Sequence, residues 1–128
     1  MIAVKKITLT PAQIIASFGA PINVLAAPVA GSVNNILGIS HDMVFVSAAY
    51  TGALAILYFP IDANNNMFAD LVILTQTQDV SWPCTKEFGA DQLPYSTTRD
   101  LFFATDALAA NGDSPIDVYI IYETVVLT

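Results

Sequence analysis

The sequence predicts an all-β domain: a single β-sandwich, jelly-roll or immunoglobulin-like, with about seven or eight strands and one short N-terminal helical turn. The chain has 128 residues, which is the length of one ordinary domain. Short apolar or alternating segments recur along it, separated by turns rich in Gly, Pro, Asn and Asp, a pattern typical of sandwiches. No internal repeat, low-complexity tract or linker divides residues 1–128, so one domain is expected.

The N-terminal segment predicts a strand followed by a capped helical turn. Residues 2–9 alternate loosely and hold β-branched side chains, which predicts a strand, with residues 1–9 as an edge-strand arm. Thr10 suits a helix cap, Pro11 the first helical position, and Gln13 completes a capping box with Thr10. Gly19 then ends the turn.

The middle of the chain predicts further strands, at residues 22–26, 33–40, 43–49, 54–59 and 71–75. His41 and Asp42 interrupt this series and are interpreted as a turn. Residues 54–59 are apolar throughout, as expected for a strand buried on both faces. Asn-rich residues 62–66 predict a polar turn.

Residues 76–99 lack a clear periodicity and hold Pro83, Gly89 and Pro94. They predict a long loop with one short strand at 80–82. Long loops in compact domains are usually functional, so this segment is a candidate binding loop.

The C-terminal segment predicts two more strands, at residues 101–105 and 116–127. The Asn111-Gly112-Asp113-Ser114-Pro115 run between them is a strong turn signal. Alternate residues of 116–127 form two faces, and both are largely apolar. This strand is therefore either central in its sheet or covered on its outer face by a partner.

Composition indicates a protein that binds other proteins. Hydrophobic residues make up 55% of the chain and charged residues only 12%, against about 25% charged in typical domains. Large exposed apolar patches mark contacts, so we expect some apolar surface to be hidden in an assembly. Four Lys and Arg stand against 11 Asp and Glu, a net charge of −7, which disfavours nucleic acid and anionic membranes as partners. No apolar run approaches the ~20 residues that span a bilayer.

No motif in the sequence indicates catalysis, and we expect no metal and no cofactor. Ser40-His41-Asp42 contains the residue types of a hydrolase triad, but consecutive strand residues point to opposite faces and cannot converge. The Asp62-x-Asn64-x-Asn66 run starts like a calcium loop, but Met67 and Ile73 stand where Gly and Glu are required. Cys84 is the only cysteine. An enzyme that uses two carboxylates in a cleft is the alternative that the 11 acids leave open.

Aromatic and apolar strand residues are the candidates for an interface, because Tyr and Trp supply large contact areas with a polar end. The candidates are Trp82, Tyr95, Tyr50, Tyr119, Ile121 and Val4. Trp82 and Tyr95 are favoured for their place in the long loop. Filling the core is the alternative for each aromatic residue.

Several short sequence segments follow one another along the chain in an order that is also found in other proteins. Leu9-Thr10-Pro11-Ala12-Gln13-Ile14 is followed by Ala20-Pro21-Ile22 and Ala27-Pro28-Val29-Ala30-Gly31. Ala49-Tyr50-Thr51-Gly52 then leads into the apolar residues 54–59, and Gly112-Asp113 precedes the last strand. This layout, which covers most of the chain, resembles small β-sandwich structural proteins, of decoration or fibre type, from tailed bacteriophages and prophages.

The resemblance implies a non-enzymatic structural protein of the virion, made in the cytoplasm of the host bacterium. It implies a capsid decoration or cement protein that packs on the head shell, with the major capsid protein and copies of itself, as a homotrimer, for partners. The alternative is a receptor- or carbohydrate-binding module of a fibre or tail, in which Trp82, Tyr95, Asp91 and Gln92 form the sugar site.

Overall fold

A computed structural model describes most of the chain, namely residues 1–53, 55–58, 67–70, 73–83, 85–87 and 95–128. Side chains are described for all of these except residues 55–58, 67–70, 82–83, 85–87 and 95. The predicted turn at 62–66, Cys84, and the whole segment from 88 to 94, with Asp91 and Gln92, lie outside the described residues.

The described residues form two five-stranded antiparallel sheets. Sheet A has the order β1-β10-β3-β6, with β8 also paired to β3, and sheet B has the order β2-β9-β4-β5-β7. The strands are β1 (Ile2–Leu9), β2 (Ile22–Leu25), β3 (Ser32–Met43), β4 (Ala55–Tyr58), β5 (Met67–Asp70), β6 (Val80–Pro83), β7 (Thr85–Glu87), β8 (Tyr95–Thr97), β9 (Leu101–Thr105) and β10 (Ile116–Val126). One α-helix, α1 (Pro11–Ala16), and one 3-10 helix (Ile73–Thr75) complete them. The all-β sandwich prediction is confirmed, with more strands than expected.

The strand pairing is nested, and this decides the type of sandwich. β1 pairs with β10, β2 with β9, β3 with β6 and β8, and β4 with β5. The first and last strands are therefore neighbours, and each following pair joins strands that lie closer together in the sequence. This is the jelly-roll arrangement of two sheets.

The core lies between the sheets. Sheet A contributes Ile36, Ile39, Ile116, Val118 and Ile120, and sheet B contributes Val24, Leu25, Leu101 and Phe103. The inner face of β10 is thus the one carrying Ile116, Val118 and Ile120, as the alternation predicts.

The predicted turn at His41-Asp42 is wrong. β3 runs through both residues, because His41 pairs with Val118 and Trp82 while Asp42 pairs with Asp117 and Ser81. The His41 ring is buried and meets the Phe103 ring edge-on, with centroids 5.9 Å apart. Ser40 and Asp42 alternate with the buried His41, so the three side chains diverge as expected.

Helix α1 begins with the capping box that the sequence predicts. The Gln13 backbone N–H donates to Thr10 Oγ1 at 3.3 Å, and the Thr10 N–H donates to Gln13 Oε1 at 2.9 Å. The helix ends at Ala16, and buried Ile14 packs it on the core. The Ser17 hydroxyl accepts the Thr105 N–H at 3.1 Å, which fastens the helix end to β9.

Residues 44–49, predicted to belong to a strand, follow β3 without joining a sheet. Their backbone N–H groups donate to side chains instead. Phe45 N–H bonds Asp79 Oδ1 at 2.8 Å, and Val46 N–H bonds the Ser114 hydroxyl at 2.8 Å. These side-chain acceptors satisfy the donors that a neighbouring strand would otherwise take.

Asp113 is the main anchor of this segment. Its carboxylate accepts the N–H groups of Ser47 (3.1 Å) and Ala48 (2.9 Å) and the Ser47 hydroxyl. The Ser47 hydroxyl, followed by these backbone donors, lowers the pKa of Asp113 below its usual 3.8. Hydrogen bonds to an ionised carboxylate stabilise the charged form.

This lowered pKa predicts a loss of stability in acid. The contribution of Asp113 is fully present above pH 3.8, its ordinary pKa, and is lost as the pH falls through its folded-state pKa. We expect Asp113→Asn to lower the urea midpoint at neutral pH and to show a smaller further fall in acid than the wild type. Urea unfolding followed by circular dichroism at neutral pH and near pH 3 measures both. Equal falls in the two proteins would contradict the assignment.

Two further predictions in the middle of the chain are corrected. The strand expected at 71–75 is not found at residues 73–75, which form the 3-10 helix, while residues 71 and 72 lie outside the described residues. Ile73 and Leu74 are buried, and Leu74 C=O accepts the Tyr50 N–H at 2.9 Å. Residues 76–99 contain β6, β7 and β8 instead of one long loop with a single strand. The strand at 80–82 is confirmed as β6.

Candidate interaction surface

Among the described residues, the outer face of sheet A is a broad surface that the fold positions for contact. β10 is central in sheet A, between β1 and β3. The side chains on its outer face therefore have neighbours on both of these strands. The inner residues Ile116, Val118 and Ile120 are fully buried, while Ile121 on the other face is 40% exposed. The second apolar face of β10 is thus turned to solvent.

Four apolar side chains lie together on this face, and we call them the outer patch. They are Ile2 (60% exposed), Val4 (63%), Leu37 (36%) and Ile121 (40%). Val4 pairs directly with Ile121 across the β1–β10 ladder, and Ile121 pairs with Gly38 across the β10–β3 ladder. Paired residues on one face of a sheet have Cβ atoms about 5 Å apart, so the patch is continuous.

Two details of β3 shape the outer patch. The register between β10 and β3 shifts between Ile121 and Tyr122, which leaves Leu37 as the extra residue of a bulge. Gly38 presents no side chain, and a Cβ placed there would lie 3.6 Å from Ile121 Cδ1. Ile121 packs over the backbone of Gly38, and because Gly38 has no side chain, the surface of the outer patch does not protrude at this point.

Charged groups flank the outer patch in neutralised pairs. Towards the α1 end, Lys6 Nζ lies 3.5 Å from Asp117 Oδ2, and the Thr8 hydroxyl donates to Asp117 Oδ1 at 2.5 Å. Asp117, and after it Tyr119, raises the pKa of Lys6. The Lys6 ammonium also lies 5.8 Å from the centroid of the Tyr119 ring, within cation–π range.

The other flank is formed by the N-terminal amine, which lies 3.3 Å from Glu123 Oε1. An apolar centre with a polar rim is the usual anatomy of a protein–protein contact. Exposed ion pairs such as these two add little to stability. They do leave the face without a strong charge of either sign.

The structure brings together three of the six predicted interface residues: Val4, Tyr119 and Ile121 all lie on the outer face. The sequence did not single out Ile2 or Leu37. The loose alternation of residues 2–9 carries a signal for Ile2. Nothing in the sequence marks Leu37, because its exposure depends on the bulge.

Tyr50 is not an interface residue, and that prediction is wrong. It is only 1% exposed, and its hydroxyl donates to Ser114 C=O at 2.5 Å. Burial, with the nearby Asp113 charge as a lesser cause, raises the pKa of Tyr50 to about 12.

Trp82 and Tyr95 lie on β6 and β8, where their backbones pair with His41 and Ile36 of β3. Both strands flank β3 on the side away from β10. Their side chains are outside the described set, so their interface role stays a prediction.

Comparison with known proteins finds a likeness of fold. The structure is similar to a chain of the "Cyanophage Pam1 capsid asymmetric unit", with a TM-score of 0.55 and 15% sequence identity. The similarity covers 100% of this chain and 84% of that chain. At this identity the likeness is one of fold alone. No protein-family profile matches the sequence, and no curated protein matches it.

Among the described residues, no helix is long and apolar enough to cross a membrane. In the same part of the chain, no three or more His, Cys, Asp or Glu side chains are grouped so that they could hold a metal ion.

Proposed function

We propose that this chain is a structural protein of a bacteriophage particle and binds other protein chains through the outer face of sheet A. The observation that carries the proposal is the exposed outer patch of sheet A. It occurs in a chain whose fold is similar to that of a phage capsid chain. Jelly rolls are common among viral capsid proteins, although a fold by itself does not define a function.

The physical basis of binding is burial of the outer patch against a partner. Its residues lie on paired strands, and three of its four side chains, those of Ile2, Val4 and Ile121, are β-branched, so little conformational entropy is lost when a partner covers them. Central apolar residues surrounded by a polar rim commonly contribute most of the affinity of a contact. Val4 and Ile121 occupy that central position here, between the Lys6–Asp117 pair and the Met1–Glu123 pair.

More specifically, we propose a decoration protein of the head shell that packs on the major capsid protein and on copies of itself, as a homotrimer in the virion. The edge of β1 supports the trimer over a two-fold dimer. Within the described residues β1 pairs only with β10, so in that part of the structure its other edge has no strand partner. Two-fold antiparallel pairing of two β1 edges centred on Lys5 or on Lys6 would place that lysine directly opposite its own copy, and like charges directly opposite are destabilising. A three-fold arrangement brings different surfaces together and avoids this pairing.

Mass spectrometry of purified particles from bacteria that carry the gene tests this function. We expect the chain in the particles, in a copy number comparable with that of the main shell protein. Recovery of only a few copies per particle would overturn the decoration role. Complete absence from the particles would overturn the structural role itself.

A further inference from the structure

A cleft opens at the end of the sandwich where β3 begins and β10 ends, on the inner side of sheet A. Its volume is about 310 Å³, at the lower end of the range of roughly 300–1,000 Å³ for ligand sites. It is lined by residues 25–29 together with Lys5, Asn34, Tyr122 and Thr124. It lies on the opposite side of sheet A from the outer patch and is therefore a separate site.

Lys5 reaches this cleft because it lies on the core-facing side of β1. It alternates with Lys6 on the strand, pairs with inward-facing Ile120, and shares its side with Ile7 and Leu9. Lys6 on the outer face is paired with Asp117. The Lys5 ammonium, by contrast, has no hydrogen bond or ion pair in the described part of the structure.

Two of the polar groups in the cleft are already satisfied. The Thr124 hydroxyl donates to Asn34 Oδ1 at 2.7 Å, and Asn34 Nδ2 donates to Ala26 C=O at 3.2 Å. Tyr122 is a partly buried residue, and its hydroxyl has no hydrogen-bond partner among the described residues. Among the side chains that line the cleft, Lys5 and Tyr122 thus carry the two polar groups left to bind a ligand. A cation and a hydroxyl donor together suit an anion that accepts hydrogen bonds, such as a carboxylate.

The remaining walls of the cleft are apolar. Leu25, Pro28 and Val29 line it, and Val29 is 75% exposed. A hydroxyl-rich ligand such as a sugar needs many polar partners, and this lining offers few. An apolar side chain next to a carboxylate matches both parts of the cleft, and a peptide supplies both in adjacent residues.

We propose that the cleft binds an acidic peptide segment of a partner protein. In this complex an Asp or Glu carboxylate accepts hydrogen bonds from Lys5 Nζ and the Tyr122 hydroxyl, while a neighbouring apolar side chain packs on Pro28 and Val29. The charge is complementary, because the cleft presents a cation without a counter-ion in a chain of net charge −7. Like charges elsewhere on the chain repel acidic segments, so they favour this site over others.

Inward-facing lysines on edge strands have another known effect, which is to deter pairing with a second edge. That effect requires only that the ammonium reach water. It does not involve the Tyr122 hydroxyl or an acidic ligand. Substitutions at Lys5 and Tyr122 therefore separate the two roles.

Fluorescence anisotropy with the full chain and a labelled peptide tests the proposal. The probe carries one Glu flanked by two Leu residues in a Gly-Ser background, and a matched peptide carries Gln in its place. We expect the Glu peptide to bind with a dissociation constant below about 1 mM and the Gln peptide to bind at least tenfold more weakly. Lys5→Met should weaken binding of the Glu peptide at least tenfold, and Tyr122→Phe severalfold. Lys6→Met is the matched control and should leave it unchanged.

Three results would overturn the proposal. One is that the Glu and Gln peptides bind with equal affinity, or that neither peptide binds at concentrations up to the millimolar range. Another is unchanged binding by Lys5→Met, or by Lys5→Gln if the methionine variant does not fold by circular dichroism. The third is binding of glucuronate as tight as that of the peptide and equally dependent on Lys5, which would assign the cleft to acidic sugars. None of these results bears on the outer patch.

Discussion

Replacing Gly112 with alanine is expected to destabilise the domain by about 3 kcal/mol or more, at or above the upper end of the usual range for overpacking. A Cβ at this position would lie 1.9 Å from Tyr50 Cδ1 and within 2.2 Å of two more ring carbons. Atoms cannot approach so closely, so either the ring or the turn must move. The ring is held in place because Tyr50 is buried, its hydroxyl donates to Ser114 C=O, and its N–H donates to Leu74 C=O.

Urea unfolding followed by circular dichroism measures this loss. Gly19→Ala is the matched control, because no atom beyond the neighbouring residues in the chain lies within 4 Å of a Cβ placed at Gly19. Its effect should be close to zero. Adding Tyr50→Leu to Gly112→Ala should recover part of the stability, since the smaller side chain leaves room for the new methyl group. A Gly112→Ala protein as stable as the Gly19→Ala protein would contradict the close packing of Gly112 on Tyr50.

Val4→Lys and Ile121→Lys are each expected to weaken self-association about 30-fold or more, because residues at the centre of a contact commonly contribute 2 kcal/mol or more. Each substitution places a charge that must be desolvated when the outer patch is covered. Both side chains face solvent in the single chain, so the fold itself should be preserved. Sedimentation velocity measures the association, and circular dichroism checks the fold.

Val44→Lys provides the control for these two variants. Val44 is 61% exposed and follows β3 at the end where α1 lies, away from the outer patch. The same chemical change there should leave association intact. If Val44→Lys dissociates the protein as strongly as Val4→Lys does, the outer patch is not the contact surface.

Elements whose signals are local were predictable from the sequence. Helix α1 was predicted from Thr10, Pro11 and Gln13, because a capping box is formed by residues three positions apart. β10 was predicted with its two faces, because an eleven-residue alternation is long enough to define both strand and register.

Elements that depend on distant partners were not predictable in this way. His41 and Asp42 resemble a turn in isolation, yet pairing with Val118 and Asp117 extends β3 through them. The three-residue strands β7 and β8 are too short to show any periodicity. Residues 44–49 belong to a stretch that alternates like a strand, but Asp79, Asp113 and Ser114 accept hydrogen bonds from the backbone N–H groups of Phe45, Val46 and Ser47.

The residues of the candidate interaction surface also divide into those with a local sequence signal and those that depend on distant partners. Val4, Tyr119 and Ile121 follow from alternation along β1 and β10. Leu37 does not, because its bulge arises from the match between two strands more than 80 positions apart. Tyr50 was misjudged because its burial is decided by contact with Gly112, which the sequence alone does not place beside it.

The molar mass of the wild-type chain, measured by light scattering over a concentration series, tests the central claim most directly. Association through the outer face of sheet A predicts a stable species of about three times the 13.7 kDa chain mass, which Ile121→Lys converts to single chains. A wild-type protein that keeps the mass of one chain at the highest concentration, or a trimer that Ile121→Lys and Val4→Lys leave intact, would contradict it.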